Sequence, residues 1–175
     1  QHHMLLHQKL QEQKAKKFIH VFDSLSASIG ETLVSMKIFE LASQNMSELD
    51  IVSKVNAYIK EMKTFFVLES LDNLIKAGRI NKILGTLATA LSMKPIMGGT
   101  EEGTIKIVEK VRGSRKAFNR LVDLIGEVGE MLDEKILGIA HCNCLKKAEE
   151  LKNEVMKRYR FKDIIIVEMG GVSTV

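Results

Sequence analysis

Short apolar runs alternate along this chain with stretches of helical period, and that alternation restricts the fold more than any other feature. "FIHVFDS" (18–24) and "TFFVLES" (64–70) read as strands. So do "KILGIAH" (135–141) and "DIIIVEMGG" (163–171), the last apolar enough to be buried on both faces. Between them lie helical patterns: 4–14, with Met4, Leu5, Leu6 and Leu10 apolar, and 26–44, with Ile29, Leu33, Met36, Phe39 and Leu41. Ser47, three residues before Asp50, starts a further helix as a capping box. "LDNLIKAG" (71–78) is closed by Gly78 as a C-terminal cap. Another helix spans about 81–92, another runs through "SRKAFNRLVDLIGEVGEML" (114–132) from Ser114, and Asn143 is placed to cap one from Cys144. Pro95, the only proline, forbids helix through its position and biases Lys94 towards extended backbone. "KPIMGGTEEGTIKIVEKV" (94–111) therefore reads as a hairpin turning at "GGTEEG". Strands alternating with helices give an α/β class.

The 175 residues suit one domain or one domain plus part of another. At 45% hydrophobic and 27% charged the composition is that of a globular protein, and no apolar run is long enough to span a membrane. The net charge of +4 is scattered through "KAKK", "KVRGSRK" and "KRYRFK" with acids between, which reads as a solvated surface rather than a nucleic-acid stripe. Cys142 and Cys144 are the only cysteines; with His141 they fall short of the four ligands of structural zinc. A pair that allows at most one strained link points to a reducing, cytoplasmic setting. His2, His3 and His7 crowd the first residues, as a tag remnant or as the native start of a helix.

No dinucleotide fingerprint, phosphate loop, zinc-protease helix or nucleophile elbow occurs in its standard form, and no cofactor is implied. Leu74 to Met97 holds a different signal. Gly78 stops one helix, and Arg79 stands where it could bond that helix's last carbonyls or reach a ligand. The helix beyond carries Ile80, Ile83, Leu84, Leu87 and Leu91 with Gly85, Ala88 and Ala90 between them. So apolar a surface with small residues suits a close neighbour, either a helix or an alkyl chain.

The ordered set of motifs resembles the DegV family of bacterial fatty-acid-binding proteins. Leu71, Leu74, Gly78, Arg79 and Ile80 follow its L-x-x-L-x-x-G-G-R-I, with Ala77 in place of the first glycine. Met93-Lys94-Pro95-Ile96 follows its I-K-P-I, and Lys110, Arg112, Arg115, Lys116 and Ala117 follow its K-x-R-x-x-K-K-A. "VFDSLSASIG" (21–30) follows its V-x-D-S-x-x-x-S-x-G. The family's serine-rich carboxylate grip would lie upstream of Gln1, which matches the glutamine of its T-Y-Q; its late H-x-G-P-G has no match.

The resemblance implies an α/β, DegV-like two-domain fold, seen here as a fragment lacking most of the first domain. Residues 1–60 would be the rear of that parallel-sheet domain, and 61–175 the second domain on the lipid-tail side of a cleft. It implies non-catalytic binding of a long-chain fatty acid, with presentation of the carboxylate to a fatty acid kinase subunit. Phe66, Leu68, Ile80, Leu84, Leu87, Leu91 and Ile96 would wall the tail, and Arg79 and Arg112 would meet the head group or a partner. The rival reading is a piece of an α/β transferase or kinase-like enzyme whose catalytic residues lie upstream.

Overall fold

The computed structural model of the protein describes residues 18–68, 70–76, 78 and 93–170. The expected helices at 4–14 and 81–92 lie outside them. Helices α1 (Ile29–Ser43) and α2 (Glu48–Glu61) pack as a pair around Val34, Leu41, Val55 and Ile59, with Phe22, Leu25 and Tyr58 closing the cluster. The cap of α2 is as expected: the Asp50 N–H donates to Ser47 Oγ at 3.2 Å, while the Ser47 hydroxyl donates to Asp50 Oδ2 at 2.6 Å. Burial first, then Glu40, pushes the Tyr58 phenol above its ordinary pKa.

Residues 18–24 form no strand. A ladder needs a partner, and none among the described residues runs beside this segment; its Phe22 instead covers the α1–α2 core. His20 meets the Phe22 ring edge-on at 4.6 Å.

Strands β1 (Phe65–Val67), β2 (Met93–Gly99) and β3 (Ile105–Arg112) form an antiparallel sheet in that order. The hairpin is where Pro95 and the glycine-rich turn require it. Its register shifts between Ile96 and Met97, so that Ile96 lies opposite Glu109 and Met97 opposite Ile107. Between β1 and β2 a short helix, α3 (Asp72–Lys76), ends at Gly78, whose φ of 68° is the left-handed cap foreseen from sequence. Leu74 of α3 and Met97 are buried together, with Phe66, Leu68, Leu71 and Ile105 against them.

Helix α4 (Ser114–Val128) lies across all three of these strands. It stops at Gly129, short of the 132 read from sequence, and a 3-10 turn follows (Leu132–Glu134). Arg120 ties it to the sheet by donating to Glu109 of β3 at 2.7 Å and to Glu127 of its own helix. That fork holds the Glu127 carboxyl below its ordinary pKa. Strands β4 (Ile136–His141) and β5 (Asp163–Glu168) pair in parallel, joined by α5 (Leu145–Arg158) in a βαβ unit. α5 touches α4, and α1 packs against the β4 side at Gly138, where an added Cβ would stand 2.4 Å from Ile29 Cγ1. The middle of β5 is only half-buried, rather than sealed on both faces, because among the described residues it pairs with β4 alone. Asn143 does not cap α5: it adopts φ 49°, and Cys144 takes the N-cap position.

Gly126 of α4 shows where shape overrides propensity. Alanine there would gain about 1 kcal/mol of helix propensity. Its Cβ, however, would stand 2.5 Å from the Tyr159 ring, a rigid group. Overpacking of this kind costs about 1–3 kcal/mol. Gly126→Ala is therefore expected to lower the urea midpoint; a raised midpoint would mean that Tyr159 swings aside freely.

Candidate functional site

The "VFDSLSASIG" stretch folds into a tight turn that delivers α1. Asp23 Oδ1 accepts from the Leu25 N–H at 3.1 Å, and the Ser24 hydroxyl donates to the Ser26 carbonyl at 3.0 Å. Leu25 and Ser28 take φ values of 50° and 54°, and the next turn of chain must pass close by. Gly30 permits this, because a Cβ there would lie 2.2 Å from Ser26 Oγ. The tip of the β2–β3 hairpin seats on the same turn: Gly103, at φ 73°, leaves room for Leu25 Cα at 3.1 Å from where its Cβ would be.

Beside this turn runs an open, mainly apolar trough of about 2850 Å3. A closed ligand pocket measures roughly 300–1,000 Å3, so the trough is a wall rather than a finished mould. Met36 and Phe39 of α1 and Phe66, Leu68 and Leu74 of the β1–α3 region line it. Phe39 is 76% exposed on α1, a helix whose apolar and polar residues are spread around its axis. Among the polar residues of this wall, Ser26 Oγ and Thr64 Oγ1 share a hydrogen bond at 3.1 Å, both half-buried. Sequence reasoning missed this pair, for which the family-like serine motif is the only hint. His141, at the far end of β4, also lines the trough; it is 7% exposed and its Nδ1 has no hydrogen-bond partner.

Phe66 and Leu68 lie together on the trough, against Leu74 and Met97. The expectation groups Ile96 with them; the structure separates it. Adjacent residues of a strand point to opposite faces, so Ile96 shares a face with its partner Glu109 and not with Met97. Glu109 is held by Arg120, so that face is the one under α4, and Ile96 is fully buried there. Arg79, Ile80, Leu84, Leu87 and Leu91 lie outside the described residues. Arg112 stands exposed at the end of β3, away from the trough. Arg115, three residues on, does border it; it pairs with Glu150 and lies 5.4 Å from the centre of the Phe118 ring. Among the described residues no group of three or more His, Cys, Asp or Glu side chains is placed to hold a metal ion.

A family model described as an uncharacterised protein of the DegV family matches residues 4–175. The chain belongs to the DegV family. A DegV domain-containing protein of Streptococcus pneumoniae R6 is 31% identical over 154 residues, covering 88% of this chain and 54% of the relative. The chain thus spans about half the length of the curated relatives it matches. A DegV family protein from Ruminococcus gnavus, solved with vaccenic acid, superposes with a TM-score of 0.89 at 42% identity, over 97% of this chain and 61% of that one. A fatty acid binding DegV family protein of Streptococcus agalactiae gives a TM-score of 0.80 at 31% identity, covering 94% of this chain and 58% of its own. The fatty acid kinase B3 protein of Streptococcus pneumoniae, loaded with linoleic acid, gives 0.83 at 29% identity, over 97% and 59%. The α/β fold described above is that of DegV proteins. Among the described residues no helix is long and apolar enough to cross a membrane.

Proposed function

We propose that the protein containing this chain binds a long-chain fatty acid without transforming it and presents the carboxylate to a fatty acid kinase, in the cytoplasm. The supporting observation is the open apolar trough, in a chain 42% identical to a relative solved with vaccenic acid. Each methylene moved from water to such a wall gains about 0.8 kcal/mol, so a long acyl chain is the ligand this surface suits. Residues 1–60 belong on this reading to a first domain and 61–175 to a second, with the acid between them. Phe66 and Leu68 contribute to the tail wall together with Ile80, Leu84, Leu87 and Leu91, while Ile96 serves the core. Organic extraction and mass spectrometry of the full-length protein purified from bacteria test this. A dominant long-chain fatty acid near one per protein is expected; a lipid-free protein that also fails to take up added fatty acid would exclude the reading.

Arg112 is assigned to the partner rather than to the lipid. It stands exposed outside the trough, in a basic run with Lys110, Arg115 and Lys116. Phosphoryl transfer to a carboxylate gathers negative charge, and losing one group that steadies such charge slows reaction by roughly a hundredfold. Arg112→Ala is expected to leave fatty-acid retention nearly unchanged and to slow acyl-phosphate formation on that scale. Equal turnover of variant and parent would remove Arg112 from the handover.

A further inference from the structure

We propose that Cys142 and Cys144 form a reversible dithiol–disulfide couple at the carboxyl end of β4, where both border the trough. Both thiols are free, Cys142 exposed and Cys144 half-buried. A fully extended chain would hold their Cα atoms about 7 Å apart. Asn143 between them takes φ 49° within a bend, which curls the chain and shortens that span towards the roughly 4.4–6.8 Å that a disulfide requires. The Cys144 side chain is also uncommitted as a cap: it makes no hydrogen bond to the helix it begins, while its backbone carbonyl accepts from Lys147 and Ala148 at 3.0 and 3.3 Å.

The exchange balances with a small disulfide such as oxidised glutathione as oxidant. The exposed Cys142 thiolate attacks one glutathione sulfur and expels the other as thiolate. The Cys144 thiolate then attacks the Cys142 sulfur of the mixed disulfide and expels the second glutathione. Two protein thiols are oxidised, one disulfide is reduced to two thiols, and the two protein protons end on the departing glutathiones. The ring closed across a single residue is small and strained, and strained, exposed disulfides are the readily reversed kind.

These are the only cysteines in the chain, so every thiol signal belongs to the pair. The chain is equilibrated in glutathione buffers of graded redox poise, quenched in acid, alkylated and weighed intact. One transition is expected, to a species lighter by two hydrogen atoms and carrying no glutathione. Cys144→Ser should instead accumulate a single glutathione adduct, because nothing resolves it. Unfolding in urea should weaken ring closure about tenfold, or about 30 mV for this two-electron couple, because the bend is lost. Accumulation of a doubly glutathionylated chain, persistence of both thiols in the most oxidising buffer, or an unchanged midpoint in urea would each overturn the proposal.

Discussion

Ile96→Ala is expected to lower the unfolding free energy by about 2–5 kcal/mol and to leave the lipid content of the molecules that stay folded unchanged. Ile96 is fully buried between the antiparallel sheet and α4, on the face opposite Phe66 and Leu68. Removing its outer carbons leaves a void that rigid neighbours on both sides fill poorly. Such a loss is a large part of the roughly 5–15 kcal/mol that holds a domain folded. Urea unfolding gives the first quantity, and extracted lipid per folded protein gives the second. A stable variant with reduced lipid content would put Ile96 on the ligand after all and would overturn the register argument made from Glu109 and Arg120.

On the proposed reading, this chain alone should bind a fluorescent long-chain fatty acid at least about a hundredfold more weakly than a form extended at its amino end to the length of its relatives. The trough supplies apolar wall in quantity, while its Ser26 and Thr64 hydroxyls are already engaged with each other and its Arg115 with Glu150. An ionised carboxylate left without partners in a poorly solvated site loses several kcal/mol, and about 3 kcal/mol is already roughly a hundredfold in Kd. A titration of both forms, after delipidation, decides the matter. Equal affinities would place the head-group site within these residues, with Arg79 and Lys94, the latter lining the trough, as first suspects.

The features legible from sequence are those fixed by neighbours along the chain. The Ser47–Asp50 cap, the left-handed Gly78, and the hairpin enforced by Pro95 and its glycine-rich turn each depend on a few adjacent residues, and each is present. What escaped depends on partners distant in sequence. Residues 18–24 have strand composition, but a strand exists only where another pairs with it. Ile96 and Met97 are similar side chains one residue apart; only the pairing of β2 with β3, and then of Glu109 with Arg120, reveals which of them faces α4. The hydroxyls of Ser26 and Thr64 meet across a long stretch of chain, and neither residue announces the other. In α1 the apolar pattern names Leu33, Phe39 and Leu41 alike, yet Leu33 and Leu41 are buried and Phe39 is turned to the open trough.

The seating of Gly103 on Leu25 carries a consequence for the order of assembly. The β2–β3 hairpin closes a short loop and has a turn sequence that favours it, so it belongs among events of roughly microseconds. Docking its tip onto the Asp23–Ser28 turn closes a loop many times longer, and that closure entropy is regained only once both parts already have their shape. The hairpin tip is thus expected to seat late, after the hairpin and the turn before α1 have each taken shape.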